Sequence, residues 1–75
     1  MTETIVENGL AAAVITLRHT VAKAMVDATT ACRHLKNNQP RAAVGAVIPI
    51  GQALLDAKAL LDTIFILNRN LIQKG

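Results

Sequence analysis

The side chains best suited to chemistry in this 75-residue sequence are His19, His34, Cys32, Asp56 and Asp62. Fifteen residues separate the two histidines, which on a helix is about 60° around the axis and over 20 Å along it. They are too far apart to share a metal ion. Cys32 is the only cysteine, so no internal disulfide can form, and with two distant histidines it does not complete a zinc ligand set. On the apolar side of its helix it reads as a buried, inert thiol. Asp56 and Asp62 read as solubilising charges, because no nucleophile, base and orienting acid can be assembled around them. The expectation is a non-enzymatic chain with no cofactor and no metal.

An exposed helical histidine can accept a phosphoryl group. The stretch "RHLKNN" at residues 33 to 38 resembles histidine phosphotransfer domains, where an exposed His is followed by a Lys. Here Lys36 stands two residues after His34 and no glycine follows. The resemblance would make His34 a phosphoryl carrier in a helical bundle, and the plainer reading of both histidines is a solvated side chain.

The net charge of +3 comes from eight Lys and Arg spread along the chain. Arg18, Arg33, Lys36 and Arg41 gather loosely around the middle, but Glu3, Glu7, Asp27, Asp56 and Asp62 are interspersed, and no Tyr or Trp is present to stack on bases. A solvated basic rim is expected rather than a nucleic-acid surface. The specific alternative is a ROP-like homodimeric bundle that grips RNA through its phosphates.

The elements that would carry these side chains are helices. Hydrophobic residues make up 52% of the sequence with a single aromatic, Phe65, so Ala, Leu, Ile and Val supply nearly all the apolar content, as suits packed helices. A chain this short has no disulfide or metal staple and buries only about 60% of its unfolded surface alone. The positive mean hydropathy of +0.38 therefore favours a partner. The acidic opening "MTETIVENG" has neither a basic segment nor a long apolar run, so no conventional signal peptide is expected and a cytoplasmic location is the default. The most apolar stretch, Ala42 to Leu55, meets Pro49, Gly51, Gln52 and then Asp56, which argues against a membrane span.

Helix 1 is expected over about residues 4 to 36. Thr4 and Glu7 have capping-box spacing, and Asn8 before Gly9 is a competing start. Leu10, Ala13, Val14, Leu17, Val21, Ala24, Met25, Ala28, Ala31, Cys32 and Leu35 fall in one arc about 120° wide, opposite a stripe containing Thr16, His19, Thr20, Lys23, Asp27, Thr30 and His34. The turn is placed at residues 37 to 40, because "NNQP" ends one helix and Pro40 suits the first turn of the next. Helix 2 then spans about residues 41 to 73, with Pro49 either kinking it or starting a third helix.

The segment "ALLDAKALLD" at residues 53 to 62 repeats Leu-Leu-Asp every six residues, a period that spreads leucine around a helix instead of aligning it. With its neighbours it gives helix 2 an apolar arc of about 160°, wider than one neighbouring helix covers. Ile48, Leu55, Ala59 and Ile66 form a further stripe pointing away from helix 1. A partner interface is therefore expected on helix 2, involving Ile48, Leu55, Ala59, Ile66, Leu60, Leu67 and Asn68. Asn68 would set register within the arc.

The stretches "ACRHLKNNQP" (31 to 40) and "KALLDTIFILNRNL" (58 to 71) resemble the small co-chaperones of type III secretion needle subunits, which form helical hairpins. The resemblance covers about half the chain. It implies a non-enzymatic protein that packs one face of its hairpin on a helical-repeat chaperone and helps keep a needle subunit monomeric. The combined expectation is one all-α domain over residues 1–75, an antiparallel helical hairpin with a Pro-kinked second helix that completes a bundle by oligomerisation. Its partner is a helical protein or a second copy of itself, with nucleic acid and membrane not expected.

Overall fold

A computed structural model describes residues 2–74, with side chains described for residues 4–70. The chain is an α-helical hairpin: α1 spans Thr2–Lys36, α2 spans Pro40–Lys74, and the two pack antiparallel along their length. The Cα trace measures 56 × 14 × 12 Å. Helix 1 already includes the residues before Thr4 and runs straight through Asn8-Gly9, so neither expected start is used.

The turn is closed by backbone geometry. Asn38 is left-handed (φ 57°), the Asn38 amide donates to the Leu35 carbonyl at 3.1 Å, and the Gln39 amide donates to the His34 carbonyl at 2.8 Å. This is a Schellman stop with Asn in the place glycine usually takes. Gln39 then begins α2: its carbonyl accepts the Ala43 amide at 3.0 Å, and Pro40, with no amide to satisfy, sits at the first helical position.

The residues that helix contact takes out of water follow a strict pattern. In α1 they are Val6, Leu10, Ala13, Leu17, Thr20, Ala24, Asp27, Thr30, Ala31 and His34, and in α2 Ala43, Ala46, Ile50, Ala53, Ala57, Leu60, Ile64 and Leu67. Apart from Thr30, intervals of three and four alternate, which is the spacing of a coiled-coil seam. The most covered are Ala13, Ala31 and Ala43, at 8%, 6% and 5% exposure. Small side chains let the backbones approach closely. Near the turn the seam is mostly alanine (Ala24, Ala31, Ala43, Ala46, Ala53), while toward the chain ends it fills with Leu10, Leu17, Leu60, Ile64 and Leu67.

This seam splits the apolar arc expected for helix 1. Leu10, Ala13, Leu17, Ala24 and Ala31 face α2, whereas Val14, Val21, Met25, Ala28, Cys32 and Leu35 remain exposed. Thr20, Asp27 and His34, expected on the water side, take seam positions instead. The six-residue leucine period is resolved the same way: Leu60 enters the seam, Leu54 and Leu61 flank it, and Leu55 points to the back of α2.

Helix 2 continues through Pro49 without a break, so Pro49 does not start a third helix. Proline has no amide proton, which leaves the Gly45 carbonyl without its helical donor. Both residues are exposed, and water can meet that carbonyl.

Candidate functional site

Two broad sides of the hairpin flank the seam, and their chemistry differs. On one side α1 contributes the row Thr16, Lys23 and Thr30 with His19 beyond it, and α2 contributes Pro49, Asp56 and Thr63 with Gln52 beyond. These rows face each other across a cleft of about 410 Å³ lined by His19, Thr20, Lys23, Asp27, Pro49, Gln52, Ala53 and Asp56. Lys23 Nζ lies 3.4 Å from Asp27 Oδ2, and the Gln52 amide donates to Asp56 Oδ1 at 2.9 Å. The charges in the cleft are thus already met within their own helices.

Because those rows share one side, helical geometry puts the opposite rows together on the other. Next to the seam stand Val14, Val21, Ala28 and Leu35 of α1 and Val47, Leu54 and Leu61 of α2. Outside them lie Ala11, Met25 and Cys32, and Val44, Gly51 and Phe65. Nine of the fifteen large hydrophobic side chains exposed among the described residues are on this one face: Val14, Val21, Met25, Leu35, Val44, Val47, Leu54, Leu61 and Phe65. Only Arg18 and Lys58 interrupt it along its edges, at about the same height, roughly 30 Å from the turn, and Lys58 is paired with Asp62 at 2.7 Å. Glu7 and Asn68 close the end away from the turn.

No protein-family model, curated protein or solved structure matches this chain. The functional reading therefore stands on the geometry of the hairpin.

The residues expected at a partner interface divide. Leu60 and Leu67 are half-buried in the seam, where α1 covers part of each. Ile48, Leu55, Ala59 and Ile66 are exposed and turned away from α1 as expected, but they lie on the back of α2 and toward its polar flank. They are separate from the broad apolar face. Asn68 is exposed at the end of that face. Sequence reasoning placed Val14, Val21, Met25 and Leu35 in the apolar arc of helix 1 but put the partner interface on helix 2, whereas all four are exposed. The signal was present in the alanines: the three most covered positions, Ala13, Ala31 and Ala43, are all alanine.

The histidines stay apart. His34 is half-buried at the last seam position, with Nδ1 3.0 Å from Gln39 Oε1, whereas His19 lines the cleft. Among the described residues no three His, Cys, Asp or Glu side chains come together as a metal site. By length and composition alone both helices are apolar enough to cross a membrane, over Thr4–Lys36 and Pro40–Asn70, further than the sequence reading of Ala42 to Leu55 allowed. Only 6% and 0% of these two apolar windows are buried within the hairpin, so neither is a covered core helix. A hydrocarbon layer about 30 Å thick centred on this hairpin would enclose Arg18, Lys23, Asp27, Asp56, Lys58 and Asp62. Within that layer Lys23 pairs with Asp27 and Lys58 with Asp62.

Proposed function

We propose that this chain is a non-catalytic protein-protein interaction module, working in the cytoplasm, whose function is to bury its broad apolar face against helical protein. The observation that carries the reading is the concentration of exposed Val, Leu, Met and Phe on one side of a two-helix layer, opposite the side whose cleft is lined by Lys23, Asp27, Gln52 and Asp56. Contiguous apolar surface of this extent is rare on a protein that acts alone. A small chaperone or co-chaperone role, with the face docked on a helical partner, is one form of this function. A homodimeric bundle with a regulatory or nucleic-acid-binding role is the other, and the exposed Arg33, Lys36 and Arg41 around the turn would give such a bundle its phosphate contacts.

The test is whether the purified chain hides that face by association or shows it to a probe. Either self-association or strong binding of a hydrophobic dye such as ANS is expected. A cooperatively folding monomer that binds no dye in dilute solution would end the reading.

A further inference from the structure

We infer that the occupant of the broad apolar face is a second copy of this chain, packed antiparallel so that each turn lies over the chain-end half of the other hairpin. The inference rests on the interaction-module reading and names its partner.

Area is the first argument. The chain exposes 5719 Å², whereas a compact monomer of its mass exposes about 4,450 Å². The excess of roughly 1,300 Å² on one chain is more than the about 800 Å² that each partner buries in a standard interface. The face itself, 56 Å long and 14 Å wide, covers about 780 Å², against about 800 Å² per partner in a standard interface. A second hairpin has the same footprint, so the match is self-complementary and the assembly closes at two copies.

Shape gives the second argument. The seam takes alanine near the turn and Leu and Ile toward the chain ends, leaving Val14, Val21, Leu54 and Leu61 exposed beside it. When two such layers stack, these rows meet at the centre of a four-helix bundle, where each helix needs a third apolar row beyond its pairwise seam.

Charge decides the direction. Arg33, Lys36 and Arg41 place three positive charges around the turn, equal to the net charge of the whole chain, so the rest of the hairpin is balanced. Stacking turn on turn would bring six positive charges to one end. In the antiparallel arrangement the two basic turns stand at opposite ends, each over the other copy's chain-end half, where Glu7 and Arg69 offset one another.

The experiment combines sedimentation equilibrium with a distance between turns. The expected mass is twice the 8.0 kDa of the chain, at micromolar concentration. Leu54→Lys should raise the dissociation constant at least about a hundredfold, because each substitution enters a two-fold interface twice. Leu55→Lys, at similar exposure on the back of α2, should leave it within about threefold. Spin labels on Asn37→Cys in a Cys32→Ser background should lie roughly 45 Å apart across the dimer, set by the rise of the helices.

A dimer with labels within about 20 Å would overturn the antiparallel direction. A monomer that binds ANS, or assemblies of no fixed mass, would overturn the second copy while leaving the interaction-module reading in place. A cooperative monomer that binds no dye would remove both.

Discussion

His34 and Gln39 close the hairpin turn twice: the Gln39 amide donates to the His34 carbonyl at 2.8 Å, and the His34 ring nitrogen Nδ1 lies 3.0 Å from Gln39 Oε1. An amide oxygen can only accept, so Nδ1 carries the proton in this pair. The histidine that most invited comparison with a phosphoryl carrier thus serves the end of its own helix.

Between these two residues Asn38 holds a left-handed conformation, φ 57°. Asn38→Gly should stabilise the hairpin by up to about 1 kcal/mol, and Asn38→Val should destabilise it by about 1–2 kcal/mol, since a β-branched side chain crowds the backbone there. Gln39→Ala keeps the backbone bond and loses the side-chain one, for about 0.5–1 kcal/mol. Urea unfolding followed by circular dichroism orders the three. Equal midpoints for all would show that the turn contributes nothing.

The closeness of the seam predicts intolerance to size. Ala31→Leu, at a position only 6% exposed, should cost about 1–3 kcal/mol by wedging the helices apart. Ala22→Leu, on the exposed back of α1, should change stability by less than about 0.5 kcal/mol. Thermal melts at fixed protein concentration separate the two. A tolerated leucine at position 31 would mean the helices are not held by their alanines.

Pro49 interrupts the hydrogen bonding of α2 without ending it. Pro49→Ala restores the amide donor to the Gly45 carbonyl and should stabilise the fold by about 1–3 kcal/mol, raising the melting temperature by several degrees. If the melting temperature falls instead, the proline is needed to shape the cleft between His19 and Asp56.

The face spans both helices, so α1 must contribute to association. Val21→Lys, on the apolar side and 53% exposed, should weaken association, while Ile15→Lys, on the back and 57% exposed, should have little effect on it. Both should retain helical circular dichroism. Sedimentation of the two variants is decisive: association unaffected by Val21→Lys would return the adhesive role to α2 alone. The same geometry predicts that Ile66→Lys, on the polar flank of α2, leaves association nearly unchanged.

Much of the fold was legible along the chain. The Asn-Asn-Gln-Pro turn, two helices of similar length and the surplus of apolar circumference on helix 2 all follow from local rules of capping, proline geometry and periodicity, because those rules act over a few residues at a time. Excess apolar surface was legible too, from the six-residue leucine repeat.

Which part of each apolar arc turns inward was not legible, because a helical arc of 120° or more offers several rows that can serve as the seam. The choice is made by the pair of helices together. Rows of alanine permit the closest approach and the most dispersion contacts, so Ala13, Ala24 and Ala31 were drawn against Ala43, Ala46, Ala53 and Ala57. The bulkier Val21, Met25, Leu54 and Phe65 were left outside on one common side. The sequence by itself determined two amphipathic helices and the turn between them. Only their packing decided that the leftover apolar rows would join into a single face, since the direction a row points is defined by what its neighbouring helix occupies.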